Sequence, residues 1–501
     1  MNVAQNVETA AKLFPEKTAI LFEGKEISYS DLNVMANRLA NAMQANGIKQ
    51  GDRVALYLPN IPEFAFCYFA TLKVGAIAVS VNPMLKAYEM KYIMNDSGAV
   101  LLFTVGELLE NIARDEYENL KHVVVCEGDT QDNPTLASWM EKGADDFKTA
   151  DLNPDVPAAI LYTSGTTGFP KGATLTQGNV VSNSWTTVHH AGFKIDDRMP
   201  LFLPLFHVFG QNFIMNGAIT ACATIVMYRR FVPDVVLGSI GQDKVTMFFA
   251  VPAIYIALLN MDLSKYDLSS IRYEFSAAST MPREISSQWT EKFGRPIYEG
   301  YGLTECSPFA AYNHDFNHKF GSVGTPVENF EIKILDDKDN EVELGKWGEI
   351  CVRGPGVMQG YWSRPKESAE ALRGGWLHSG DTGYVDDEGY VFIVDRVKDM
   401  INVAGFKIWP AEIEQFLYTH PAIQELAVYG VPHPEKGETV KAAIVLKENA
   451  SATIEEITTF CRDNLANYKV PAAMEFVAEL PKSATGKILK RVLRDEAEES
   501  K

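Results

Sequence analysis

Residues 158–179 read AAILYTSGTTGFPKGATLTQGN. The apolar run Ala158, Ala159, Ile160 and Leu161 predicts a buried strand. A loop follows that holds Thr163, Ser164, Gly165, Thr166, Thr167 and Gly168 and closes with Pro170, Lys171 and Gly172. Glycines let a backbone turn tightly and approach a ligand without hindrance. Their N–H groups, the hydroxyls and the Lys171 ammonium together suit phosphate oxygens. The loop is not a Walker A sequence, because Lys171 precedes Gly172 rather than the Ser or Thr that would hold magnesium. A plain Gly/Thr linker is the alternative, and the Pro-Lys-Gly stop between strand-like runs argues against it.

On both sides of this loop, helical and strand periodicities alternate. Residues 29–47 predict an amphipathic helix, with Ser30 as N-cap, Leu32, Met35, Leu39 and Met43 at helical spacing, and Gly47 as terminator. Residues 53–57 and 76–81 predict strands around a helix at 62–74, and further strands are expected at 100–103 and 224–227. The alternation predicts parallel-rich sheets covered by helices. Near Arg353 the texture changes to short strands with glycine turns, read as a β-barrel-like subdomain. A strand at 389–394 then meets the charged run Asp395-Arg396-Val397-Lys398. The expected organisation is an α/β protein with a large N-terminal domain over 1–394, a hinge at 395–398 and a small mobile α+β domain over 399–501.

A chain of 501 residues is long enough to need more than one domain. Its net charge of −19 excludes a broad nucleic-acid footprint. The six cysteines are scattered without a C-x-x-C pair, which suits reduced thiols in the cytoplasm. Residues 1–20 do not read as a signal peptide. The most apolar stretch, 64–81, contains Lys73 and Gly75 and predicts a buried helix running into a strand rather than a membrane span. A cytoplasmic protein without an integral membrane segment is expected. Peripheral membrane contact and a homodimer stay open.

Four further segments carry chemical groups. Residues 204–210 (PLFHVFG) set His207 among apolar groups, and residues 300–305 (GYGLTE) gather Gly300, Tyr301, Gly302, Thr304 and Glu305. Asp381 follows Ser379 and Gly380 on a turn, while Arg396 and Lys487 add cations. Together and in this order, these segments resemble the adenylate-forming superfamily of acyl-CoA synthetases, luciferases and nonribosomal peptide adenylation domains. The resemblance runs from about residue 10 to about residue 494 and is strongest to bacterial fatty-acid–CoA ligases.

The resemblance implies roles. The loop Thr163 to Lys171 would hold the β- and γ-phosphates of ATP, and Tyr301, between Gly300 and Gly302, would stack on adenine. Thr304 would contact the α-phosphate, and Glu305 with Thr166 would bind Mg2+. Asp381 and Arg396 would hold the ribose hydroxyls, and His207 would stand at the acyl pocket. Lys487 would bridge the carboxylate and the α-phosphate. Lys398 matches the hinge position, and Gly405 lies on the loop that opens a tunnel for the thiol of coenzyme A.

The chemistry is consistent in itself. A carboxylate is a poor electrophile until its oxygen carries a good leaving group such as AMP. Bringing two anions together calls for cations at the reacting atoms. A thiol then displaces AMP, and the two half-reactions need different groups over one carbonyl, which suits a movable domain.

The implied acid site comprises His207, Val208, Phe209, Gly210, Gln211, Met215, Ala277, Ala278, Gly302 and Pro308, with no arginine to receive a second carboxylate. An uncharged apolar tail is therefore expected. The ligases it resembles often have a Gly-Gly pair where Ala277-Ala278 stands, so the extra methyls would narrow the floor, and Gln211 could bond a polar substituent. A medium- to long-chain fatty acid is the expected substrate, with an aryl or alicyclic acid as the alternative. Delivery of the acyl group to a carrier protein is a further alternative. A non-catalytic sensor would tolerate loss of Lys487, Glu305 or Thr166-Thr167, and all are present.

Overall fold

The computed structural model describes residues 1–163, 169–396, 399–403, 406–434, 436–448 and 450–499. The strand predicted from Ala158–Leu161 extends over Pro157–Thr163 and sits inside a seven-stranded sheet. On one side it pairs in parallel with Ile77–Ser80, and the parallel order continues through Arg53–Leu56, Leu101–Thr104 and His122–Val125. On the other side it pairs antiparallel with Lys171–Thr176, with Thr163 opposite Lys171. These two strands form a hairpin, and Gly360–Tyr361 pairs with Lys171–Thr176 to make the sheet's edge. Val54, Ala55, Val79 and Ile160 are buried, as a sheet covered on both faces requires.

The first long helix spans Tyr29–Ala45 and buries Leu32, Leu39 and Met43 as the spacing predicts. Its N-cap is Ser28, not Ser30. The chain is still extended at Ser28, whose hydroxyl accepts from the Asp31 N–H while the Asp31 carboxylate accepts from the Ser28 N–H. This reciprocal capping box satisfies two end groups at once, which Ser30 within the first turn could not do. The run 64–81 is a helix, Pro62–Val74, followed by the strand Ile77–Ser80. Its one charge, Lys73, is buried against Glu8 at 2.5 Å. No helix among the described residues is long and apolar enough to cross a membrane.

A second sheet orders Met247–Ala250, Tyr273–Ser276, Tyr298–Gly302, Phe309–Tyr312 and Thr325–Pro326, parallel in its first three strands and antiparallel beyond. The region expected to be barrel-like forms a four-stranded antiparallel sheet of Glu331–Leu335, Gly348–Arg353, Leu377–Val385 and Val391–Arg396. The last of these strands runs two residues into the expected hinge segment. One contiguous core gathers residues from Val3 to Val391.

Beyond residue 399 a separate core forms around Ile401, Ile413, Leu426, Val428, Ile444 and Ile457. There the long hairpin Ile423–His433 and Gly437–Leu446 is joined by Ala473–Phe476 and packed by the helices Pro410–Leu417 and Ile454–Asn464. The six cysteines form no disulfide.

Candidate active site

The hairpin of Pro157–Thr163 and Lys171–Thr176 ends beside the turn that carries Glu305. Thr163 Oγ1 lies 3.4 Å from Glu305 Oε1, and the Tyr361 hydroxyl donates to the same oxygen at 2.9 Å. The Lys171 ammonium stands over the Tyr361 ring, 5.3 Å from its centre. Ser164, Gly165, Thr166, Thr167 and Gly168, together with Lys398 and Gly405, lie outside the described residues. Glu305 is buried, accepts hydroxyl donors and forms no ion pair with Lys or Arg among the described residues. A buried carboxylate of that kind fits Mg2+, which protein sites commonly hold by one or two carboxylates plus substrate phosphates.

Tyr301 and Gly302 end the strand Tyr298–Gly302, and the turn Thr304–Cys306 follows at once. Gly302 is required by close approach: a Cβ there would stand 1.8 Å from the carbonyl oxygen of Pro308. The Tyr301 hydroxyl donates to Asp381 Oδ2 at 2.8 Å, and Arg396 Nε donates to Asp381 Oδ1 at 2.7 Å. Asp381 and Arg396 are direct cross-strand partners, so sheet register alone brings them together. The Arg396 guanidinium is raised further by the charge of Asp381 despite its burial.

Tyr301, Asp381 and Arg396 open onto a cavity of about 1150 Å³, which is also lined by Ala278, Glu299, Gly300, Gly302 and Lys487. Lys487 arrives from the far end of the chain on a tight turn. Its N–H donates to Ser483 Oγ at 3.2 Å and its carbonyl accepts from the Ser483 N–H at 2.8 Å. Gly486 beside it has φ +77°, and a Cβ there would press on Val251 at 3.0 Å, so this turn docks on the N-terminal portion. The cavity therefore has walls from both portions of the chain.

His207 is half-buried next to this wall. Its Nδ1 accepts from the Phe209 N–H at 3.2 Å, which places the ring proton of the neutral form on Nε2. Burial, then the charge of Lys487, lowers its pKa to about 4, so it is neutral at physiological pH. After it, Phe209–Asn216 winds in wide π-type turns that are buried throughout. Val208, Phe209, Gln211 and Met215 are packed in the core rather than lining the cavity. The rings of Phe209, Phe213, Phe275 and Phe309 fill that space by mutual stacked, tilted and edge contacts. Gln211 accepts from the Ser80 hydroxyl at 2.5 Å, so its carbonyl already has a protein partner. Ala278 faces the cavity with φ +75°.

Several groups at the site were not singled out from sequence. Tyr361 carries no motif, and only the fold sets it against Glu305 and Lys171. Glu299 precedes the GYG segment, and burial raises its pKa to about 8. Glu414, on the helix Pro410–Leu417, lines the same cavity, and so do Asp395 of the charged run read as a hinge and Asp399 just after it.

Comparison with known proteins follows the same outline. Residues 7–362 match the AMP-binding enzyme family, and residues 412–487 match the AMP-binding enzyme C-terminal domain. A long-chain-fatty-acid–CoA ligase of Bacillus subtilis (strain 168) is 38% identical, over 98% of this chain and 94% of its own. A feruloyl-CoA synthase of Amycolatopsis sp is 35% identical, over 97% of this chain and 96% of its own. Among solved structures, the anthranilate CoA ligase AuaEII in complex with anthranoyl-AMP superposes with a TM-score of 0.95 at 32% identity, covering 100% of this chain and 98% of that one. On the motifs, the two-part architecture and these matches, the chain belongs to the adenylate-forming AMP-binding enzyme family.

Proposed function

We propose that the protein is an ATP-dependent carboxylic acid–CoA ligase that forms an acyl-adenylate and then an acyl-CoA thioester, acting on medium- to long-chain fatty acids. The observation that carries this reading is the shared cavity. It brings Tyr301 and Asp381 from the large portion together with Arg396 of the hinge segment and Lys487 from the small portion.

In this reading the Tyr301 ring, held by its bond to Asp381, forms the adenine wall, and Asp381 with Arg396 receives the ribose hydroxyls. Thr163 and Lys171 flank the phosphates together with the loop Ser164 to Gly168, and Thr304 meets the α-phosphate. Glu305 and Thr166 would hold Mg2+, which when bound offsets phosphate charge and orients the leaving group. Lys487 lies where an ammonium can hold the acid's carboxylate in line with the α-phosphate and offset the charge that develops there. His207 is a neutral wall that presents an Nε2 proton, and its low pKa is unsuited to a general acid. The segment 395–398 would act as hinge between the portions 1–394 and 399–501, with Lys398 as the pivot and Gly405 on the thiol's path.

The fatty-acid assignment rests on the apolar acid region, with His207 neutral, and on likeness to the Bacillus subtilis ligase. An aryl acid is the second reading. It is favoured by the aromatic packing around Phe209 and Phe213 and by likeness to a feruloyl-CoA synthase and an anthranilate CoA ligase. Pyrophosphate release from ATP-magnesium, measured across fatty and aryl acids with and without CoA, separates the two. A maximum at medium or long chains with CoA-dependent turnover is expected, and loss of that release in Lys487→Ala. A maximum at aryl acids would replace the substrate assignment. Acid-dependent release with no CoA-driven turnover would point to a carrier-protein acceptor. Silence with every acid would sink the ligase reading.

A further inference from the structure

The helix Gln177–His190 ends on two adjacent histidines to which no role has been assigned above. His189 Nε2 lies 3.5 Å from Glu328 Oε1, and His190 Nε2 contacts Glu328 Oε2. The three donor atoms lie within 4.8 Å of one another. A third imidazole, His314, stands with its ring centre 5.0 Å from that of His190. The His190 side chain is 4% exposed, packed near Phe309 and Tyr312, and its Nδ1 is buried without a hydrogen-bond partner.

Histidines at a helix C-terminus are often there as cations that complement the helix dipole. His190 departs from that account in its geometry: its side chain is buried against Phe309 and Tyr312, and it and His189 both turn a ring nitrogen to the one carboxylate of Glu328. Imidazole nitrogens gathered with a carboxylate are ligands of divalent metals.

We infer that His189, His190 and Glu328 form a site for one divalent transition cation of the zinc class. Two imidazoles and a carboxylate are a recurrent zinc donor set, with the fourth position of a tetrahedron left to solvent. Calcium and magnesium prefer oxygen ligands and suit this site poorly. His190 is anchored by its packing. The exposed His189 and Glu328 close on the ion from the solvent side, tying the helix end to the segment at Glu328.

The test uses the full chain, stripped of metal and titrated with Zn2+ by calorimetry and with Co2+ by visible absorption. One ion per chain is expected, with cobalt d–d bands and no sulfur-to-cobalt charge-transfer band. His189→Ala alters a side chain that is 72% exposed and leaves the core untouched, and it should weaken Zn2+ binding by about tenfold or more. Glu328→Gln should do the same, and His190→Ala should abolish binding. A zinc-induced rise in melting temperature should appear in the parent chain and vanish in His189→Ala. Equal affinity in the parent and His189→Ala would overturn the assignment, as would absence of binding. A thiolate band would do so as well, by placing the ion at the Glu349, Cys351 and His378 cluster.

Discussion

Ala278 carries a Cβ in the left-handed region, at φ +75°, on the cavity wall. An L side chain there costs about 1–2 kcal/mol through its clash with the following carbonyl. Glycine removes that cost but adds about 0.5–1 kcal/mol of unfolded-state entropy. Ala278→Gly should therefore raise stability by up to about 1.5 kcal/mol, read as a higher denaturant midpoint at unchanged slope; a lower midpoint would show that the methyl packs favourably. Glu299 behaves differently. It is buried beside Gly300, and loss of hydration raises its pKa from 4.5 to about 8 despite a backbone hydrogen bond from Met281. The folded chain thus keeps a proton that the unfolded chain loses. Its contribution to stability is full below about pH 4.5 and disappears as pH rises through about 8. The parent chain should lose stability against Glu299→Gln with a slope approaching about 1.4 kcal/mol per pH unit across that window. Parallel profiles from chemical unfolding at a series of pH values would refute the shift. Neither effect was legible in the residue string, because burial and a positive φ are properties of a place in the fold.

At the scale of elements, much of the reading survived because it rested on local physics. The apolar runs that became Pro157–Thr163, Arg53–Leu56 and Ile77–Ser80 are strands wherever they are placed, and their continuous apolar character demanded a doubly covered sheet. Helix boundaries were less secure. Ser28 and Ser30 both precede an apolar stripe, and what decides between them is the reciprocal bond between Ser28 and Asp31. The π-type turns at Phe209–Asn216 had no signature in composition or period. They push a run of side chains expected at the acid site into an aromatic cluster. Asp381, expected on a turn and paired with Arg396 only through the resemblance, lies within the strand Leu377–Val385, and the register, with a bulge between Thr382 and Gly383, makes the two direct partners.

Across the whole molecule, the small portion is held together by charged pairs of its own beside the cavity. Lys490 bonds Glu414 at 2.8 Å, with side chains 17% and 18% exposed, and Arg494 bonds Asp399 at 2.8 Å. Burial raises the Glu414 carboxyl despite Lys490. Burial alone would lower Lys490, but the carboxylates of Glu414 and Asp395 outweigh it and raise the ammonium. Lys490→Ala would strand Glu414 without its cation and should cost about 3 kcal/mol. Hydrogen exchange should report this as lost protection in the helix Pro410–Leu417 and the strand Ile423–His433, with the large portion unchanged. Unaltered exchange there would show that the pair contributes nothing. The string of residues was enough for the α/β class, the order of the motifs and the family, since these depend on short-range patterns of apolar, glycine and charged residues. Tertiary structure alone decided that Tyr361 bonds Glu305, that His207 is neutral, that aromatic rings pack around Phe209 and Phe213, and that Lys487 lines one cavity with Tyr301 and Asp381. Those outcomes depend on burial, register and long-range packing between residues far apart in the chain, which no local pattern encodes.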